Sequence, residues 1–149
     1  MPDWPAITKV LRDAGIHVAA QAAPRAVGGG DISAAWRLET DEFPVFVKTG
    51  PPSSADMFSA EAEGLAELAA PRAIRVPSVI ACGLEGTTAF LAIEWLDTER
   101  PTRETEVRFG TQLAELHRTT RDHYGWHRDN TIGLTPQHND RSDDWVGFF

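Results

Sequence analysis

Cysteine and lysine are both scarce in this sequence. Its 149 residues include one cysteine, Cys82, which has no partner for a disulfide within the chain. No Cys and His residues stand at metal-ligand spacing, so the sequence predicts no structural zinc site. Of the 14 basic residues only Lys9 and Lys48 are lysines. Because arginine serves here wherever a generic positive charge is needed, we expect a remaining lysine to be kept for its own chemistry.

Long apolar runs are also missing. No segment approaches the roughly 18 residues that a membrane-spanning helix needs, and the start Met1-Pro2-Asp3-Trp4 lacks the basic residues of a secretory signal. The net charge of −8 at pH 7 disfavours nonspecific binding to nucleic acids or anionic membranes, since both require a basic surface. We therefore expect a soluble, cytoplasmic protein without a nucleic-acid or membrane partner.

The rest of the composition is typical of a globular protein, with 42% hydrophobic and 24% charged residues. Taken alone, the length suits one compact domain. Apolar periodicity predicts an α+β order: helix, three strands, helix, two strands, then a helix and a terminal segment that is mostly loop. The predicted helices span residues 5–14, 55–70 and 103–120, and the predicted strands span 18–27, 34–39, 45–48, 79–82 and 88–95.

Three features together suggest nucleotide chemistry. The run Gly28-Gly29-Gly30-Asp31-Ile32-Ser33 lies between the first two strands, Lys48 ends the third strand, and Glu61 falls on the apolar stripe of the second helix. Phosphoryl transfer uses main-chain amides over the phosphates, a lysine that reaches them and a carboxylate that holds the lysine. The glycine run alone indicates only a flexible hairpin, because it is neither a P-loop nor a complete G-x-G-x-x-G. An ionised Glu61 on a core-facing stripe needs a partner, however, and Lys48 supplies one.

Several longer stretches match the motifs of one family. They include Gly-Gly-Gly-Asp-Ile-Ser at 28–33, Pro-Val-Phe-Val-Lys at 44–48, Arg-Val-Pro at 75–77 and Phe-Leu-Ala-Ile-Glu-Trp-Leu at 90–96. Others are Met-Phe-Ser-Ala-Glu-Ala-Glu-Gly-Leu at 57–65, Leu-Ala-Glu-Leu-His at 113–117, and the more specific stretches at 124–133 and 137–149. On these motifs the chain resembles the fructosamine kinase family, the ketosamine-3-kinases related to aminoglycoside phosphotransferases within the protein-kinase-like fold.

The resemblance implies roles for the matching residues. Lys48 would contact the α- and β-phosphates of ATP, Glu61 would pair with Lys48, and the loop 28–33 would cover the phosphates. The segment Glu94-Trp95-Leu96 would be the hinge whose main chain meets adenine, between aliphatic walls that include Val47 and Ile93. The implied fold is a kinase-like N-terminal lobe, with a five-stranded antiparallel sheet, a leading helix and a C-type helix. His117 would be a buried structural residue.

The family's catalytic motif His-Gly-Asp-x-x-x-x-Asn does not occur in these 149 residues. In the family this motif and a later Asp carry the base and the Mg²⁺ ligands, so no catalytic or metal-binding residue is assigned to this chain. We expect an ATP-binding lobe at 1–96, with its hinge at 94–96, and the beginning of the second lobe at 97–149. The adjacent Asp143 and Asp144 are expected to cap a short helix rather than to bind a metal.

The leading hypothesis is the ATP-binding part of a kinase that phosphorylates the sugar 3-hydroxyl of ketosamines in protein deglycation. Its partners would be ATP, Mg²⁺ held by residues outside this chain, and a ketosamine such as ribuloselysine; the 149 residues alone are expected to be inactive. Two alternatives stay open. One is an aminoglycoside- or choline-type phosphotransferase, and the other is a non-catalytic lobe that self-associates through exposed apolar surface. The residues expected on that surface are Trp95, Leu113, Trp145, Phe148 and Phe149.

Overall fold

The computed structural model describes residues 1–19, 22–28 and 32–149. Contacts between residues divide the chain into two units. The first comprises Met1–Ala70 and Arg75–Arg100, and the second comprises Pro71–Ile74 and Pro101–Phe149. The assignment of residues 1–96 and 97–149 to two kinase lobes stays a prediction.

A five-stranded antiparallel sheet forms the body of the first unit. Its strands are rich in the β-branched and aromatic residues that suit a pleated, half-buried surface. They are β1 (Arg25–Val27), β2 (Ala34–Leu38), β3 (Val45–Gly50), β4 (Val79–Glu85) and β5 (Thr88–Glu94), in the spatial order β1-β2-β3-β5-β4. The predicted α+β fold with five antiparallel strands is confirmed.

Helix α1 (Trp4–Asp13) covers one face of this sheet. Its first turn is fixed by Asp3, whose Oδ1 accepts a hydrogen bond from the Ala6 amide at 3.2 Å. Ile7 and Leu11 are four residues apart, so they share a helix face and pack together against the sheet. The fully buried residues of this core are Ile7, Leu11, Leu38, Val45, Val47, Phe90 and Ala92.

Helix α2 (Ala55–Ala69) covers the opposite face and follows a 3₁₀ turn at Pro52–Ser54. Phe58 is fully buried against Ala89 and Leu91 of β5. The last turn of α2 is open to solvent, since Leu68 is 46% exposed and Ala69 is also exposed. Ser54 is the N-cap residue of α2, and its side chain makes no capping hydrogen bond among the described residues.

Two strands run further than the sequence pattern predicts. β4 continues through Glu85 to a turn at residues 86–87, where Gly86 has a φ of +56°. β3 continues two residues past Lys48, which pairs with Ala35 of β2 and Leu91 of β5. Lys48 therefore lies inside a central strand, where neighbouring strands fix its position on both sides.

The second unit contains α3 (Arg103–Leu116), a hairpin of β6 (Asn130–Ile132) and β7 (Thr135–Gln137), and the short α4 (Trp145–Phe148). Thr102 and Thr105 form a reciprocal capping box that starts α3, which ends four residues earlier than predicted. His117 is exposed rather than buried. Asp144 caps α4 by accepting a hydrogen bond from the Gly147 amide at 2.7 Å, as the sequence suggested.

Hydrogen bonds close the base of the β6–β7 hairpin, which lies in the segment predicted to be mostly loop. Asp129 accepts from the Asn139 amide at 2.8 Å, and its second oxygen lies 2.8 Å from Nδ1 of His138. These contacts hold the pKa of Asp129 below its usual value, the Asn139 amide contributing most. Across the described part of the chain, every helix is too short or too polar to cross a lipid bilayer.

Candidate functional site

Lys48 and Glu61 meet on the α2 side of the sheet. The Lys48 Nζ lies 2.6 Å from Oε1 of Glu61, a charge-assisted hydrogen bond between β3 and α2. The two side chains are 29% and 32% exposed, so the ion pair is reachable from solvent. An ammonium group has three N–H donors and this contact uses one, which leaves Lys48 able to bind an anion while Glu61 holds it.

A small cavity lies further along the same face. Its volume is about 280 Å³, and its lining residues are Phe46, Pro77, Ile93, Glu94, Trp95, Leu96 and Thr98. Phe46 precedes Lys48 by two residues, so both side chains point to one face of β3, about 7 Å apart along the strand. The cavity and the ion pair therefore lie side by side, one largely apolar and one charged.

Val47 does not line this cavity, contrary to the prediction. Side chains alternate along a strand, so Val47 points to the α1 face, where it is fully buried in the core. Phe46 takes the predicted place, because it is paired with Ile93 of β5 and both residues line the cavity. Counting alternate residues back from Lys48 would have found Phe46 in the sequence.

Trp95 is held in the cavity wall by three contacts. Its indole N–H donates to Oδ1 of Asp97 at 2.9 Å, and its ring centroid lies 6.1 Å from that of Phe46. The Arg37 guanidinium lies 4.8 Å from the centre of the Trp95 ring, within cation–π distance, and Glu39 binds Arg37 at 2.8 Å. No sequence signal singled out Arg37, because its contact crosses from β2 to the end of β5.

The carboxylate of Glu94 is already engaged. It binds the Arg75 guanidinium and accepts a hydrogen bond from the Ser78 amide at 3.2 Å. The Glu94 amide in turn donates to the Ser78 carbonyl at 2.9 Å. Of the predicted hinge, Glu94, Trp95 and Leu96 all line the cavity, and the Glu94 side chain ties this segment to the residues before β4.

The glycine loop is only partly described. Gly29, Gly30 and Asp31 lie outside the described residues, so their predicted role over the phosphates stays a prediction. Gly28 has no described atom within 4 Å of the position of a Cβ. Ser33 is half-buried, and Ile32 is 45% exposed.

A second cavity, of about 420 Å³, lies on the α1 face and is lined by Ile32, Trp36 and Thr49 among others. Lys48 and Glu61 line neither of these two cavities. The smaller cavity lies on the same face of the sheet as the ion pair, whereas the larger one lies on the opposite face.

Cys82 packs beside Phe58 on the α2 face. Burial raises the pKa of its thiol, and the nearby carboxylates of Glu61 and Glu63 raise it further. A thiol with a raised pKa is a weak nucleophile at neutral pH, which agrees with a packing role. In the described part of the chain, no group of three or more His, Cys, Asp or Glu side chains is placed to hold a metal ion.

The fold and the ion pair define a class of protein. A lysine in the third strand of a five-stranded antiparallel sheet, paired with a glutamate from the helix across it, is the arrangement of a protein-kinase-like N-terminal lobe. The sequence model of the family described as fructosamine kinase matches residues 3–149. The chain therefore belongs to the fructosamine kinase family.

Named relatives agree with this membership. The chain is 40% identical over 126 residues to a probable ketoamine kinase of Synechocystis, covering 84% of this chain and 43% of that protein. It is 38% identical over 126 residues to the chloroplastic protein-ribulosamine 3-kinase of Arabidopsis thaliana, covering 83% of this chain and 38% of the relative.

A solved structure gives the same result. A crystal structure of a protein from Haemophilus somnus, named as a fructosamine-3-kinase, superposes with a TM-score of 0.88 at 29% identity. The match covers 98% of this chain and 50% of that one. The chain thus spans half or less of the length of these relatives.

Proposed function

We propose that this chain is the ATP-binding part of a kinase that transfers the γ-phosphoryl group of ATP to the sugar 3-hydroxyl of ketosamines. The observation that carries the proposal is the Lys48–Glu61 ion pair beside the apolar cavity at the end of β5. The names of the relatives, ketoamine kinase and protein-ribulosamine 3-kinase, support the acceptor. We expect the protein to act in the cytoplasm, in the removal of sugar adducts from proteins.

In this proposal the two halves of the site have separate tasks. The adenine ring occupies the cavity lined by Phe46, Ile93 and Trp95, where apolar and aromatic surfaces exclude water from the ring. The main chain at Glu94-Trp95-Leu96 meets the polar edge of the ring. Lys48 then reaches the α- and β-phosphates, and Glu61 keeps its ammonium group in place. The loop 28–33 covers the phosphates from above.

We assign no magnesium ligand to this chain and expect Mg²⁺ to be held by residues outside it. Mg²⁺ neutralises phosphate charge in such kinases, and the family holds it with residues of the motif His-Gly-Asp-x-x-x-x-Asn. This sequence lacks that motif. We therefore derive no catalytic step from this chain and propose nucleotide binding without turnover.

The test is a thermal-shift titration with ATP of the wild type, Lys48→Ala and Lys9→Ala. Lys9 is exposed on α1, so its removal changes the net charge equally without touching the site. We expect ATP to raise the melting temperature of the wild type and of Lys9→Ala, but not that of Lys48→Ala. Equal shifts in all three proteins, or none, would refute the proposal. A coupled ADP-release assay with a ketosamine should show no turnover.

One observation favours a second candidate, a lobe that associates with another copy of itself. Several apolar side chains of the second unit are exposed, among them Ile132 at 69%, Leu134 at 80%, Val146 at 81% and Phe149 at 91%. Self-association would bury such surface. Size-exclusion chromatography over a range of concentrations tests it, and a monomer at every concentration would exclude it. A phosphotransferase with an aminoglycoside- or choline-type acceptor would bind ATP in the same cavity. Only acceptor screening of a complete enzyme therefore distinguishes these substrates.

A further inference from the structure

Glu94 joins two segments that both contribute residues to the lining of the cavity. One of its oxygens binds the Arg75 guanidinium, and the other accepts from the Ser78 amide at 3.2 Å. Its own amide donates to the Ser78 carbonyl at 2.9 Å. The stretch from Arg75 to Ser78 is thus attached to the end of β5 at three points, one of which depends on Arg75.

Pro77 lies inside the attached stretch and lines the cavity, and Trp95 and Leu96, which follow Glu94, also line it. The position of these two parts of the lining relative to each other therefore depends on the contacts of Glu94. Arg75 itself does not line the cavity, and its side chain is 67% exposed. Its link to the lining is its contact with the Glu94 carboxylate.

We propose that Arg75 is a positioning residue for the adenine side of the site: by binding the Glu94 carboxylate it sets the width of the cavity and so the affinity for the base. The inference rests on the proposed function, since it concerns the same nucleotide cavity. It assigns no role to Arg75 at the phosphates, which lie on the Lys48 side of the site.

The fold does not depend on this contact. Without Arg75, Glu94 keeps its two hydrogen bonds with Ser78, and exposed ion pairs contribute little to stability. Arg75→Met keeps most of the aliphatic stem and removes the charge. Its melting temperature should therefore stay close to that of the wild type, so any change in ligand affinity reports on the cavity.

The experiment measures the affinity of the full chain for ATP and for adenosine, which has the base without the phosphates. Arg75→Met should weaken both ligands by the same factor, about fivefold. Lys48→Ala should weaken ATP and leave adenosine unchanged. Arg75→Lys should recover part of the loss, because it restores the positive charge. The matched control is Arg118→Met, which removes another exposed arginine that is paired with a glutamate, Glu115.

A second variant shows whether Arg75 acts through Glu94. Glu94→Gln removes the partner charge, so it should weaken both ligands as Arg75→Met does, and the double variant should add no further loss. The proposal is overturned if Arg75→Met changes neither affinity, if it weakens ATP but not adenosine, or if the losses in the double variant simply add. A wild type that binds neither ligand refutes the proposed function itself, whereas normal wild-type binding with an unchanged Arg75→Met refutes only this inference.

Discussion

The coupling between Lys48 and Glu61 is the most specific energetic prediction of this structure. Their charged atoms are 2.6 Å apart, and each side chain keeps about a third of its exposure. Exposed ion pairs contribute about 0.2–1 kcal/mol, while breaking a buried pair costs about 3–5 kcal/mol. The Lys48–Glu61 pair is partly exposed and hydrogen-bonded, so its coupling free energy should lie between these values, at about 1–2 kcal/mol. For a unit of this size, about 1 kcal/mol corresponds to a shift in melting temperature of roughly 4–8 °C.

A double-mutant cycle measures this coupling by urea unfolding. The proteins are the wild type, Lys48→Met, Glu61→Ala and the double variant, with Glu63→Ala as a control that removes a neighbouring carboxylate of α2. The double variant should lose about 1–2 kcal/mol less than the sum of the single variants. A cycle with Glu63→Ala in place of Glu61→Ala should show a much smaller coupling. A Lys48–Glu61 coupling below about 0.3 kcal/mol would refute the reasoning.

Four further outcomes follow from the described residues. Gly50→Ala should destabilise the first unit by about 1–3 kcal/mol, because the new Cβ would lie 2.6 Å from Oγ of Ser54. Gly64→Ala places its Cβ where no described atom is near, so it should instead stabilise α2 by about 0.5–1 kcal/mol. Urea unfolding measures the stability of both glycine variants. A stability change of the same sign in the two variants would contradict these predictions. Glu61→Ala should lower the pKa of Cys82 and move the pH profile of thiol alkylation downward, and a profile that stays in place would count against the electrostatic cause. The pKa of Asp129 is lowered in the folded state, so its ionised carboxylate stabilises the folded state above about pH 4. This contribution is lost as the pH falls through the folded-state pKa of Asp129. Asp129→Asn should make unfolding of the second unit less sensitive to acid, and an unchanged acid profile would contradict this.

Local pattern was enough to predict most of the first unit. Alternation of apolar residues predicted the strands, and helical spacing placed Glu61 on the side of α2 that faces Lys48. These two residues are 13 positions apart, and their pairing requires only one strand and the helix that crosses it. The pairing could therefore be predicted from local sequence pattern. The family resemblance supplied the five-stranded antiparallel sheet.

Long-range contacts were not predictable in this way. Arg75 and Glu94 are 19 residues apart on segments whose pairing depends on the β4–β5 ladder, and Arg37 reaches Trp95 across the sheet. The exposure of the last turn of α2 was also not predictable from local pattern. Periodicity shows which face of a helix is apolar, but it does not show how far a neighbouring element covers that face. The hairpin of β6 and β7 was missed because its strands have three residues each, too few for alternation to be visible.

The scarcity of lysine allows a direct test of the central claim. An ATP analogue with a reactive acyl phosphate acylates lysines close to the bound phosphates, and mass spectrometry locates the label. This chain has only Lys9 and Lys48 as lysine targets. We expect Lys48 to be labelled at low probe concentration and protected by excess ATP, whereas Lys9 should be labelled weakly and without protection. Equal labelling of both lysines, unaffected by ATP, would contradict a nucleotide site at Lys48.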